Sequence, residues 1–242
     1  MMKLEECIWG GRMECLNINN VSAGYGGGLV IWGVTIRVEK GELVTLVGPN
    51  GAGKTTTCRV AGGILQPAKG EIIFKGDNVT KLNAEEMYDK GIVYIPQEEN
   101  IFPSLTVSEN LDVAFQGKEN KDECRKKLFE RFPVLGERST QKAESLSGGE
   151  IQMLGVGSAL VLEPDLVIAD EPFSKLAPSI AEQILDVILE MKNRGISVLM
   201  VSETNPERTL KKSDRGYFMK AGEITKQGSG KELADEAAEL MI

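Results

Sequence analysis

Four short apolar runs punctuate the chain: LVTLVG at 43–48, IVYI at 92–95, LVIA at 166–169 and SVLMV at 197–201. None alternates apolar with polar positions, so each reads as a strand covered on both faces, as in a parallel sheet. Helical patterns lie between them. In PSIAEQILDVILEMKNRG, residues Ile180, Ile184, Val187, Ile188 and Met191 recur on one face, with Pro178 at the start and Gly195 just past the end. That pattern predicts a crossover helix, and the predicted fold class is α/β.

Two stretches depart from this rhythm. CLNINN, GVTIRVEK and EIIFKG (71–76) are β-rich and bounded by Gly and Asn turns, which predicts a small antiparallel sheet flanking the parallel core. From 104 to 145 the pattern turns helical. Thr106 with Glu109 has capping-box spacing, Val107, Leu111 and Phe115 make one helical face, and Pro133 ends a second helix carrying Cys124, Leu128 and Phe132. A helical insert of about residues 100–150 in the core is therefore expected. The expected division is an extension over 1–13, with Met13 a candidate alternative start, followed by one domain over 14–242. The closing GSGKELADEAAELMI reads as a short amphipathic helix packed on the core.

Composition narrows the classes. A hydrophobic fraction of 41% and a charged fraction of 26% belong to a folded chain. With 36 acidic and 28 basic residues the net charge is -8, which offers no pull towards nucleic acid or anionic lipid. No nucleic-acid partner is expected. Cys7, Cys15, Cys58 and Cys124 form no CxxC pair, so buried reduced thiols are expected rather than a zinc site or disulfides. No apolar run approaches the roughly 18 residues of a membrane span, and the start has no signal-peptide order. A cytoplasmic chain follows, with any membrane role exercised through a partner.

The chemistry begins at GPNGAGKTT (48–56), which fits GxxxxGK[ST] and stands after a buried strand and before a helix. Gly48, Gly51 and Gly53 permit a tight turn that aims backbone N–H groups at phosphate. Pro49, Asn50, Ala52 and Thr56 complete the loop; Lys54 would reach the β- and γ-phosphates, and Thr55 would ligate Mg²⁺. At LVIADEP, alternation along an extended strand would turn Asp170 and Glu171 to different tasks. Asp170 can hold hydrated Mg²⁺ and Glu171 can act as general base on the attacking water. In LSGGE (146–150), Ser147 and Glu150 again have capping-box spacing, while Gly148 and Gly149 leave the helix N–H groups uncovered, a second anion-binding helix start.

GPNGAGKT, IPQ, LSGGE and ADEP, in this order and spacing, resemble the ATP-binding subunits of ABC transporters over roughly residues 14–225. LSGGEIQMLGVGSALVLEPDLVIADEP, LAP at 176–178 and DRGY at 214–217 look especially like the subunits serving branched-chain amino-acid importers. The resemblance implies a P-loop ATPase fold and a homodimer or heterodimer in which each ATP lies between one chain's phosphate loop and the other's LSGGE helix. Ser147 and Gly149 would then act on the partner's nucleotide. It also implies that Tyr25 stacks on adenine, and that Gln97 joins the Mg²⁺ site to transmembrane permease subunits at the inner face of the membrane. Residues 98–103 would lie beside a groove for a short permease helix.

Three departures stand against the resemblance. The chain has no histidine, where the family usually carries one facing the γ-phosphate. Counting from Val201 puts Glu203 there, and counting back from Asp214 puts Thr204 there. A carboxylate about 4 Å from a phosphate charge costs roughly 4 kcal/mol at a surface-like dielectric, which favours Thr204. Ser158 stands where an arginine is usual, and Lys175 where the dimer-spanning loop lies. The expected function is therefore an importer's ATPase subunit. The alternatives are a slow regulatory subunit completing a partner's site, or an ABC system with another cargo.

Overall fold

All four apolar runs become strands of one sheet. In chain order the elements are β1 (Ile8–Trp9), β2 (Arg12–Tyr25), β3 (Gly28–Glu39), β4 (Leu43–Val47), α1 (Lys54–Ala61), β5 (Lys69–Phe74), β6 (Asp77–Asn78) and α2 (Ala84–Asp89). There follow β7 (Ile92–Ile95), α3 (Val107–Ala114), α4 (Lys121–Arg131), α5 (Pro133–Glu137) and α6 (Gly148–Leu162). The chain continues through β8 (Leu166–Ala169), α7 (Pro178–Asn193), β9 (Ser197–Val201), α8 (Pro206–Lys212), β10 (Arg215–Lys220), β11 (Glu223–Ser229) and α9 (Gly230–Leu240). This computed structural model describes residues 8–9, 12–98 and 101–240. Cys7, most of the expected extension and residues 99–100 lie outside the described residues.

The larger sheet has the order β11-β10-β4-β9-β8-β7, parallel throughout except for the antiparallel edge pair β10 and β11. It is covered on both faces, which is why its strands read as unbroken apolar runs. Leu43, Val167, Ala169, Val198 and Met200 face the helical side, where they join Leu111, Phe115, Leu128, Phe132, Leu154 and Ile188. Val44, Leu46, Ile168, Leu199 and Val201 face the other way, against Cys58 of α1 and the antiparallel sheet residues Ile18, Ile36 and Ile72. Each fully buried Leu, Ile or Phe contributes about 1.5–3 kcal/mol relative to exposure, so the sheet is fixed from both sides. The antiparallel sheet contains β1, β2, β3, β5 and β6, with β2 between β3 and β5.

The helical stretch forms with its capping box: Glu109 N–H donates to Thr106 Oγ1, and Thr106 N–H donates to Glu109 Oε2. Pro133 stops the second helix as expected and does one thing more. It follows the end of α4 and opens α5, because the first helical position needs no N–H donor. The predicted tail helix packs as expected, with Leu233, Ala234 and Ala237 buried against Val47, Leu210 and Phe218. Cys15, Cys58 and Cys124 are free and buried. Among the described residues no helix is long and apolar enough to cross a membrane, and no cluster of three or more His, Cys, Asp or Glu could hold a metal.

Candidate functional site

Parallel register brings the carboxyl ends of five strands to one edge. Ile95 pairs with Ala169, Ala169 with Met200, Leu46 with Val201, and Phe218 with Val47. The segments leaving that edge carry the phosphate loop after β4, Gln97 after β7, Asp170 and Glu171 after β8, and Ser202–Thr204 after β9. Ligands of open α/β sheets bind at this edge for that reason.

The phosphate loop turns into α1 through Gly53, whose φ is 105° and whose missing Cβ would sit 2.6 Å from Ile31 Cγ2. Only glycine fits there. Gly53 offers no side-chain cap to α1, whereas α2, α3 and α6 each begin with a complete capping box. The first N–H groups of α1 are therefore left for an anion, at the positive end of the helix dipole. A cavity of about 410 Å³ opens over Asn50, Gly51, Ala52, Gly53, Lys54, Thr55 and Thr56. Lys54 is buried, and its ammonium donates to the carbonyls of Gly48 at 2.9 Å and Pro49 at 3.0 Å.

Asp170 and Glu171 have different surroundings, though not by strand alternation. The strand ends at Ala169, and Glu171 has a left-handed φ of 49°, a conformation that costs a non-glycine residue about 1–3 kcal/mol. Asp170 is 1% exposed and accepts from Thr55 Oγ1 at 3.2 Å and Tyr94 Oη at 3.3 Å. Its carboxyl is held above the usual range, chiefly because burial disfavours the anion. Glu171 is half-buried; its carboxylate accepts from Gln97 Nε2 at 3.2 Å, and the same amide donates to Ser174 Oγ at 3.2 Å. Burial first, then the neighbouring Glu203 charge, pushes Glu171 up to about 7. A carboxyl poised near neutrality suits a general base.

The donor set fits Mg²⁺. A buried carboxylate touching a threonine hydroxyl supplies hard oxygen ligands, leaving the rest of an octahedral shell for water and phosphate. Gln97 lines the same cavity. Tyr94, one strand away from Asp170, is the supporting residue that the sequence reading missed. Burial raises its hydroxyl well above the ordinary tyrosine range, so it stays a donor. IVYIPQ alone carried no signal for it, because its place follows from the pairing of β7 with β8, which sets Tyr94 opposite Ile168.

In the loop after β9 both candidates, Glu203 and Thr204, border the cavity, and Glu203 reaches inward with Oε2 3.5 Å from Lys54 Nζ. The expectation weighed a carboxylate's repulsion from phosphate and not its attraction to a buried ammonium, a gross Coulomb term on the order of 4 kcal/mol. Lys175, left-handed at φ 60°, pairs with Glu98 at 2.6 Å on the surface. Ser158 is buried and donates to the Leu154 carbonyl at 2.6 Å. Tyr25 is exposed, its hydroxyl accepting from Arg59 at 3.3 Å. Ser147 caps α6 through its box with Glu150 and is exposed with Gly148. Tyr25, Ser147, Gly148 and Gly149 do not line the phosphate-loop cavity of their own chain.

The glycine turn, the uncapped helix and the strand-end acids on a parallel sheet define a P-loop NTPase. Residues 31–174 match the ABC transporter family, and the chain belongs to it. It is 38% identical to the high-affinity branched-chain amino acid transport ATP-binding protein BraG of Pseudomonas aeruginosa, over 90% of this chain and 94% of that protein. To the probable branched-chain amino acid transport ATP-binding protein LivF of Archaeoglobus fulgidus it is 33% identical, over 89% and 92%. It is also 32% identical to the lipopolysaccharide export system ATP-binding protein LptB of Escherichia coli, over 93% and 94%. A nucleotide-free ATP-binding cassette from an ABC transporter superposes with a TM-score of 0.79 at 30% identity, covering 94% of this chain and 95% of that one. The chain is accordingly an ATPase, the ATP-binding subunit of an ABC transporter.

Proposed function

We propose that this subunit powers import of a branched-chain or related amino acid, working in a pair of ATPase chains on two permease subunits at the inner membrane face. The observation that carries the cargo is the 38% identity to BraG across nine-tenths of the chain. A second reading, export of another solute, draws on the LptB likeness.

In the proposed cycle the N–H groups of α1 and the Lys54 ammonium hold the phosphates, and Tyr25 stacks on adenine. Thr55, Asp170 and Gln97 would hold Mg²⁺, which would supply positive charge against the phosphate oxygens. Glu171 takes a proton from the water that attacks the γ-phosphorus; the bond to the bridging oxygen breaks, and ADP leaves with that electron pair. Ser147, Gly148 and Gly149 complete the other chain's site, and Thr204 offers a neutral hydrogen bond beside it. Next to Gln97 a groove of about 390 Å³, walled by Ile101, Phe102, Val113 and Leu154, has the apolar character to take a short permease helix.

Uptake of labelled leucine, isoleucine and valine by cells lacking the gene tests the cargo. Loss of uptake, restored by the parent gene and not by one carrying Glu171→Gln, is the expected result. Unchanged uptake of all three overturns it and leaves the export reading.

A further inference from the structure

The phosphate-loop cavity has one cation on its lining, Lys54, and two carboxylates, Glu171 and Glu203. Glu203 is the one carboxylate paired with Lys54 among the described residues, and it makes no other ion pair there. Its side chain is 26% exposed, against 4% for Lys54, so the contact is drawn inward from the cavity mouth. The place of the contact along a bound nucleotide follows from its neighbours. Glu203 shares a small recess with Glu171, Ser174 and Thr204, and a base that activates water must stand beyond the terminal phosphate. The inner phosphates meet instead the glycine turn and the first N–H groups of α1.

We infer that Glu203 is a nucleotide-discriminating residue, its carboxylate competing with the terminal phosphate of ATP for Lys54 and thereby favouring ADP over ATP. The inference rests on the reading of residues 48–56 as the phosphate site. ADP, whose β-phosphate also reaches Lys54, can share that ammonium with Glu203 at 3.5 Å, whereas the γ-phosphate brings negative charge to where that carboxylate stands. ATP binding therefore requires Glu203 to swing out. The swing is local: Ser202 N–H is fixed to the Leu46 carbonyl at 3.1 Å, and Asn205 caps α8 at φ 57°. Closing the site on ATP thus begins with the release of this one side chain.

The test is equilibrium binding of ADP and of a non-hydrolysable ATP analogue to the full chain, to Glu203→Gln and to Glu207→Gln. Glu207 is an exposed acid paired with Lys211 that controls for net charge. Glu203→Gln is expected to tighten the analogue by about tenfold or more while ADP moves less than about twofold; Glu207→Gln shifts neither. Equal tightening of both nucleotides, or none, overturns the inference. Should Glu203→Gln fail to fold, Glu203→Asp withdraws the carboxylate and should give a smaller gain for the analogue alone. Failure of the underlying reading looks different, because Lys54→Ala would then bind both nucleotides as the parent does.

Discussion

The chain builds two glycine-bearing helix starts, and they are made oppositely. At α1 the glycine turn withholds a side-chain cap, buries Lys54 and opens a cavity. At α6 the cap is complete, Ser147 and Gly148 are exposed, and the acids of the first site lie elsewhere. The first start thus has its chemistry gathered behind it, while the second is a finished helix end presented outward. The difference teaches that helix polarity alone does not make a site; what stands around the N–H groups decides whether they are left open.

The comparison breaks most visibly at Glu171. Glu171→Gln is expected to lower steady-state ATP turnover by roughly 10²–10⁴-fold while nucleotide binding survives; parent-like turnover would remove Glu171 as the base. Next in size is Gly53→Ala, which adds a Cβ 2.6 Å from Ile31 at a φ of 105°. It should destabilise the fold by about 1–3 kcal/mol, seen as a lowered Tm. Ser147→Ala removes only a cap and should cost about 1 kcal/mol. A larger loss of Tm there than at Gly53 would invert the contrast between a strained loop and an ordinary cap.

Acidity sharpens the same contrast. Glu171 is raised to about 7 in the fold, so its contribution to stability is fully present below the ordinary glutamate range. That contribution is lost as pH rises through about 7. Thermal melts of the free chain across neutral pH should show a Tm decline that Glu171→Gln flattens. The smallest effect is expected at Lys175→Ala. Its pair with Glu98 is exposed on both sides, and surface pairs are screened. Tm should not change measurably.

Much of this contrast was legible in the residues. The four buried strands announced themselves because each is covered on both faces, and the three capping boxes at Asn83, Thr106 and Ser147 formed, two of them read in advance from Thr106 and Ser147. β10 and β11 were not foreseen: RGYFMK begins and ends on charge, and EITKQGS is a polar edge strand. β11, at the edge, has one neighbour and little burial, so its sequence carries little pattern, while β10, between β11 and β4, offers only a short buried stretch between charged ends. At the site, Lys54, Thr55, Asp170 and Glu171 were readable because a motif fixes their spacing. Glu203 and Tyr94 were harder, since their roles depend on which strands lie side by side. Spacing within one segment cannot state that adjacency.

The proposed sharing of sites between two chains is tested most directly by mixing two inactive variants. Lys54→Ala disables the phosphate loop. Gly148→Asp fits sterically, with nothing within 4 Å of the added Cβ, and an acid in a first helical turn suits the dipole but repels another chain's phosphate. Each variant alone should hydrolyse little ATP. If the two helix starts meet across a dimer, a mixture forms pairs holding one intact loop opposite one intact LSGGE helix, and turnover returns. A mixture as inactive as its parts, with dimerisation verified, would contradict the account.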